Sequence, residues 1–412
     1  MIVKIDKVVF GGKGLARLDS KVCFVSFVLP DEEVEVKVIK DKKNLCEGLP
    51  QKILKTSPYR REPPCSYYGE CGGCDFQHIN YQKQVDLKKE ILEETFQRLA
   101  KEQIKVEKVI PSPEELFYRN RVQFKYDGER FGFFKADSND VVDIDKCLIA
   151  DEEINKLIPV LREVISTSVK EVHVFISPDK KALIKFITDG VFELNFDALV
   201  DKSPVSIAGA GVYRGNKRLK LFGKNFVFYK VGKFNFRVSI DSFFQVNRFQ
   251  IENFIKEVMD EVPSDKTLTV GDLFCGVGTL SIPVAKKVKK VFGVEISKSA
   301  VKDANYNARI NNVNNVNFYE VSADRAIDVI YGHNPDILIV DPPRTGLAKK
   351  LIEKINQLPK LKKIIYVSCN PTTLARDYSL LKEGRFQISK LKMIDMFPQT
   401  HHIESIAVLD RT

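Results

Sequence analysis

No apolar run in this chain approaches the ~20 residues that a membrane-spanning helix needs, so a helical membrane protein is excluded. The amino end offers no secretory signal either: Lys4, Asp6 and Lys7 interrupt Met1 to Phe10 in strand-like alternation. A cytoplasmic protein with no membrane partner is expected. There is no internal repeat and no low-complexity tract, which removes solenoids and disordered linkers from consideration. Nor is this a disulfide scaffold. The eight cysteines are spread over 412 residues, and three of them crowd between positions 65 and 74 in a spacing suited to a metal. Acidic residues are absent from Pro204 to Ile240, where Arg214, Lys217, Arg218, Lys220, Lys224, Lys230, Lys233 and Arg237 are interleaved with seven aromatic rings. A β-hairpin there would present a basic face and an aromatic one, a surface able to track phosphates.

What is present describes a folded protein of several parts. The chain is 44% hydrophobic and 29% charged, ordinary values for a globular protein, and its length can hold two or three domains. A formal net charge of +10 and a pI near 9.0 favour a polyanionic partner, most simply nucleic acid. Residues 1–57 read as a small all-β barrel of the OB type, with strands at 3–8, 22–28 and 34–39 and a glycine turn at 11–14. Residues 58–240 are a mixed α+β central domain, with a helix over 81–101 and strands at 122–126, 172–176, 182–187 and 225–240. From 241 to 412, strands at 268–273, 291–294, 316–319, 337–340 and 364–367 alternate with helices at 279–287, 297–311, 347–358 and 372–382. That alternation predicts a doubly wound parallel α/β sheet.

The ends of those strands are where such sheets bind ligands. The first runs into Asp272-Leu273-Phe274-Cys275-Gly276-Val277-Gly278, whose glycines permit a tight turn and close backbone approach. The third glycine of the dinucleotide fingerprint is missing. Glu295 ends the next strand, where an acid can hold both ribose hydroxyls, and Asp324 follows the third, within reach of an adenine amino group. Loop, Glu295 and Asp324 in succession suit S-adenosylmethionine better than NAD. Asp341-Pro342-Pro343-Arg344 ends the fourth strand and is similar to the motif of enzymes that methylate adenine amino groups. Cys369 ends the fifth, before Asn370-Pro371. An exocyclic amine needs no thiol, but carbon 5 of a pyrimidine does. A thiolate added to carbon 6 makes carbon 5 nucleophilic, so that it can attack a sulfonium methyl group. The helix predicted to begin at Thr372 is expected to lower the pKa of Cys369. A base must then remove the carbon 5 proton. Glu404, before the apolar strand 406–409, is the candidate, with His401 and His402 as rivals.

The stretches 242–247 (Ser-Phe-Phe-Gln-Val-Asn), 272–276, 341–344, 368–371 and 402–404 together resemble the RNA uracil-5-methyltransferases that use S-adenosylmethionine. The resemblance implies a Rossmann-like class I methyltransferase domain at 241–412. It implies Cys369 as nucleophile, Glu404 as base, and Gln245, Phe274, Glu295 and Asp341 around the cofactor, beside the loop glycine Gly276. The 1–57 barrel resembles the TRAM RNA-binding domain of that family.

Cys65, Cys71 and Cys74 supply three soft ligands from one loop, and Cys147 is the best fourth. By ligand type, zinc and iron–sulfur both remain open. The spacing resembles the [4Fe–4S] site of the ribosomal RNA members. The expectation is therefore a monomeric enzyme making 5-methyluridine in structured RNA, first 23S rRNA, with transfer RNA as the alternative substrate. A noncatalytic iron–sulfur RNA-binding protein is the reading from another class. An RNA cytosine-5-methyltransferase is less compatible, because that family places its nucleophile in a Pro-Cys motif where this chain has Asp341-Pro342.

Overall fold

A computed structural model describes residues 1–18 and 21–412, with the main chain alone at 323 and 324. The amino-terminal part is a six-stranded sheet in the order Ile2–Lys4, Glu33–Lys42, Leu45–Lys55, Lys21–Val25, Gly14–Leu18, Lys7–Val8. Alternation puts Val3, Ile5, Ala16, Val25, Val34 and Val36 into its core. The strand Leu45–Lys55 escapes sequence reading because Gly48 and Pro50 break its alternation. Gly48 is required by close approach, since a Cβ there would lie 2.3 Å from Val36 Cγ1. Parallel pairing sets Cys23 opposite Cys46 with Cα atoms 4.5 Å apart, and the two form a disulfide. Strand register brings these two cysteines together, which the reading of the chain as other than a disulfide scaffold did not anticipate.

A seven-stranded sheet follows in the order Val141–Asp143, Phe131–Phe134, Arg121–Tyr126, Val169–Ile176, Lys181–Thr188, Ser206–Arg214, Lys217–Gly223. It is covered by the helix Glu152–Val164, in a stretch where the sequence pattern gave little. Asp151 caps that helix on the Glu153 N–H, and Ile154, Leu157, Ile158 and Leu161 form its buried stripe. The basic stretch is divided. Lys217–Gly223 is an exposed edge strand, whereas the hairpin Phe226–Val231/Phe234–Ser239 packs on the helix Lys298–Ile310. Arg237 in that hairpin faces Asp303 at 3.1 Å and is spent on packing, not on an open groove.

The carboxyl-terminal sheet has eight strands in the order Val316–Glu320, Val288–Glu295, Asp265–Leu273, Ile337–Val340, Lys363–Ser368, Glu404–Arg411, Phe386–Ile394, Lys108–Ile110. The first five are parallel, as the pattern predicts, and the inner strands Ile337–Val340 and Lys363–Ser368 are buried on both faces. The last three depart from it. Glu404–Arg411 is antiparallel to both its neighbours, and Lys108–Ile110 comes from far upstream. The helix Tyr81–Leu99 comes with it and packs on the helix Pro371–Leu381. Residues 81–110, read with the central part, thus share the carboxyl-terminal core. The helix is locked there by an ion pair sealed from water: Lys88 Nζ lies 2.8 Å from Asp395, with side chains 1% and 0% exposed. Tyr81 donates its hydroxyl to the same carboxylate at 2.9 Å.

Deleting one charge of such a pair strands the other. Lys88→Met should lose about 3–5 kcal/mol of stability, read by denaturant unfolding, with Asp395→Asn similarly damaging. A loss below about 1 kcal/mol, the scale of a surface pair, would show that Asp395 is satisfied without the ammonium.

Candidate active site

The loop after Asp265–Leu273 turns sharply. Phe274, Gly276 and Gly278 have φ of +66°, +55° and +83°, and the Phe274 and Cys275 N–H groups both donate to Val294 O. A side chain at Gly276 would meet nothing within 4 Å, so glycine here serves backbone conformation and leaves space for a ligand. The Glu295 carboxylate accepts the Gly276 N–H at 3.1 Å and the Ser297 N–H at 2.8 Å, which fixes it at the strand end. Two cavities meet at Phe274. One, of about 30 Å³, is lined by Gln245, Phe274, Gly276, Asp272 and Asp341. The other, of about 100 Å³, is lined by Phe274, Glu295, Ile296 and Val321. The structure therefore brings together five of the six residues expected around a cofactor. The sixth, Asp324, has a side chain outside the described residues.

Asp341, Cys369 and Glu404 end or begin three neighbouring strands. Ser368 and Ser405 are register partners, so Cys369 and Glu404 flank one rung of the ladder. The electrostatics are severe. Glu404 is buried, and its carboxyl is held well above the usual range by burial and by Asp341, with Arg344 opposing. Burial raises Asp341 to about 7. Asp272 reaches about 7 too, through burial, against a 2.5 Å hydrogen bond from the Ser281 hydroxyl. The Cys369 thiol is pushed up to about 11 by burial first and then by Glu404; Arg344 lowers it, and Asp341 adds to the rise. This corrects the expected lowered thiol. The helix Pro371–Leu381 does begin beside it, but Asn370 already caps that helix on the Thr372 N–H at 3.0 Å. Burial among acids outweighs the helix end.

The rival bases are occupied. His402 Nε2 accepts from Arg344 at 3.0 Å, and burial, His401 and Arg344 drive its pKa down to about 2. His401 Nδ1 lies 2.7 Å from Asp75. Arg344, the last residue of the Asp341-Pro342-Pro343-Arg344 motif, is the cation that opposes the raising of Cys369 and Glu404.

Cys65, Cys71, Cys74 and Cys147 all line one cavity of about 330 Å³, together with Arg119 and Lys146. Burial raises three of the thiols, Cys71 to about 11, and mutual repulsion with Cys147 raises Cys71 and Cys74 further. The loop around Cys147 is held by hydrogen bonds of its main chain: the Ala150 N–H donates to the Cys147 carbonyl at 3.2 Å, and the Cys147 N–H donates to Asn155 Oδ1 at 2.8 Å. Among the described residues, no three His, Cys, Asp or Glu side chains are spaced to hold a metal ion. The expected ligands are thus gathered around one cavity without forming a single-ion site. Arg119, which also lines it, gave no signal in the sequence.

A doubly wound sheet with a glycine loop, a ribose-type acid and a loaded fourth strand end is the class I S-adenosylmethionine methyltransferase fold. Residues 212–412 match the family described as tRNA (Uracil-5-)-methyltransferase, and residues 1–49 match the TRAM domain. An uncharacterized RNA methyltransferase of Aquifex aeolicus is 45% identical, over 98% of this chain and 97% of its own. One from Oceanobacillus iheyensis is 34% identical, over 97% and 94%. The crystal structure of Pyrococcus abyssi tRNA (uracil-54, C5)-methyltransferase in complex with S-adenosyl-L-homocysteine superposes with a TM-score of 0.80 at 27% identity, covering 99% of both chains. This chain belongs to the RNA uracil-5-methyltransferase family.

The raised carboxyls have a stability consequence with a definite sign. Between about pH 4 and pH 7 the folded protein keeps protons on Asp272 and Asp341 that the unfolded chain releases. Their contribution therefore falls as pH rises through that window, by about 1.4 kcal/mol per pH unit for each group at most. Asp341→Asn should gain stability relative to the parent between pH 5 and pH 8 in denaturant unfolding. Parallel pH curves for the two proteins would mean that Asp341 ionises normally.

Proposed function

We propose that this enzyme methylates carbon 5 of a uridine in structured RNA through a covalent intermediate on Cys369. The observation that carries the reading is the juxtaposition, on adjacent strand ends, of a thiol, a carboxylic acid raised by burial and a lone guanidinium. S-adenosylmethionine, when bound, supplies an electrophilic methyl group and a positive charge. Gln245, Phe274, Gly276, Glu295, Asp324 and Asp341 are the residues to hold it. Cys369 gives its proton to water and the thiolate sulfur bonds to carbon 6, while the π pair of the carbon 5–carbon 6 double bond moves through the ring to the carbon 4 oxygen. Glu404 must itself be ionised to act as a base, which a positive charge beside the acid cluster would favour. Once carbon 5 is methylated, Glu404 takes its proton, the ring double bond re-forms, and the Cys369–carbon 6 bond breaks. The target base must leave its stack to meet the thiol. The amino-terminal barrel and the exposed edge strand with Lys217, Arg218 and Lys220 are surfaces for the phosphates.

The cysteine spacing supports 23S rRNA as the substrate. Full-length likeness to the Pyrococcus tRNA (uracil-54, C5)-methyltransferase supports transfer RNA as a second reading. Mass-spectrometric mapping of 5-methyluridine in both RNAs from a deletion strain decides between them. Cys65, Cys71, Cys74 and Cys147 would hold a [4Fe–4S] cluster, supported by four soft donors around one cavity. Such a cluster would cross-link the loop that carries three of them to the central part.

Cys369→Ala should end turnover and leave S-adenosylmethionine affinity intact by calorimetry. Glu404→Gln should form the methylated adduct and stall, giving a denaturation-resistant protein–RNA band on a gel. Normal release of methylated RNA by Glu404→Gln would pass the base role to another residue.

Anaerobically purified protein should be brown, with about four irons per chain. Cys147→Ser should lose that colour and iron together. One zinc per chain and no visible absorbance would refute the cluster.

A further inference from the structure

Between the strand ending at Ile394 and Glu404 runs a loop, 395–403, whose residues are nearly all tied to other elements. Its centre is Gln399. This residue is fully buried, yet it has φ of +68°, a conformation that L residues other than glycine rarely adopt. All its polar groups are used. The main-chain N–H donates to Gln84 Oε1 at 3.0 Å, and the carbonyl accepts the Asp75 and Phe76 N–H groups, each at 3.0 Å. The side-chain oxygen accepts from Gln84 Nε2 at 3.0 Å and Arg61 Nη2 at 3.1 Å, and its nitrogen donates to Glu115 at 2.7 Å. Three of these partners, Arg61, Asp75 and Phe76, flank or directly follow the loop bearing Cys65, Cys71 and Cys74.

A second tie lies two residues on. The Asp75 carboxylate takes both the main-chain N–H and the Nδ1 of His401, at 3.2 and 2.7 Å. The next residue, His402, holds Arg344. The loop therefore has two outputs at the reaction centre: the main chain leading into Glu404, and the guanidinium that opposes the acid cluster. Its inputs are hydrogen bonds from the cysteine-bearing loop and from the helix Tyr81–Leu99. Strained backbone persists only where the surroundings over-determine it, and a residue with every polar group engaged meets that condition.

We propose that Gln399 is a positioning residue that fastens the cysteine-bearing loop to the strand end carrying Glu404, so that this loop sets the placement of the catalytic base. The inference rests on the reading of Glu404 as the base, and it gives the cysteine loop a role in turnover that needs no electron transfer.

The test exploits the order of steps. Glu404 acts only after carbon 5 is methylated, so a misplaced base leaves the adduct formed and unresolved, whereas general damage slows every step and traps nothing. Gln399→Gly removes the side-chain ties and relieves the positive φ. His401→Ala cuts the second tie near the surface, and decides the matter if the glycine variant does not fold. Full-length variants are mixed with S-adenosylmethionine and RNA extracted from a strain lacking the gene, beside Glu404→Gln. Adduct formation should stay near the parent rate. Adduct resolution should slow by ~10–100-fold, with a denaturation-resistant band that the parent does not accumulate. Resolution at the parent rate, or formation and resolution slowed together without a band, would overturn the inference. If Glu404→Gln itself traps no adduct, the base reading fails and takes this inference with it. Adduct from Glu404→Gln alone overturns only the role of Gln399.

Discussion

The strand Glu404–Arg411 enters a parallel sheet the wrong way round, between Lys363–Ser368 and Phe386–Ile394, and its register sets Ser405 against Ser368. Parallel strands deliver their carboxyl ends to one edge of the sheet. An antiparallel strand delivers its amino end to that same edge. This places a carboxylate from near the end of the chain beside Cys369, and Asp341 lies one strand further along. A slip of one residue would turn Glu404 to the opposite face of the sheet, and backbone hydrogen bonding along the whole strand opposes that slip.

The same arrangement creates an electrostatic problem. Asp272, Asp341, Glu404 and Cys369 cannot all ionise in a buried site with Arg344 as their nearby cation. Burial settles this by keeping protons on them. A site held this way is poised for a ligand that brings positive charge, because each group then ionises more easily. A raised pKa also keeps Cys369 in the thiol form, which is less prone to oxidation than a thiolate.

Support for the site comes from segments far away in the chain. Residues 81–110 leave the central part to add a helix and the edge strand Lys108–Ile110 to the carboxyl-terminal sheet, secured by Lys88 on Asp395. The cysteine-bearing loop reaches the same neighbourhood through Asp75 and Phe76. Phe243 lines both the cavity at the glycine loop and the cysteine cavity, so these two are adjacent.

The sequence by itself determined the parallel strands and the residues at their ends. Ile337–Val340 and Lys363–Ser368 are short β-branched runs stopped by Asp-Pro-Pro and Cys-Asn-Pro, and such local signals survive in any context. It also determined the chemistry on offer, since carbon 5 methylation needs a thiol and a base and the chain carries both. Less was legible where pairing is long-range or alternation is broken, as in Leu45–Lys55 and Lys108–Ile110. Tertiary structure alone decided that Cys23 meets Cys46, that Arg237 is spent on Asp303, and that the Cys369 thiol is raised instead of lowered. Burial and the company of other charges set a pKa, and neither exists until distant segments pack together.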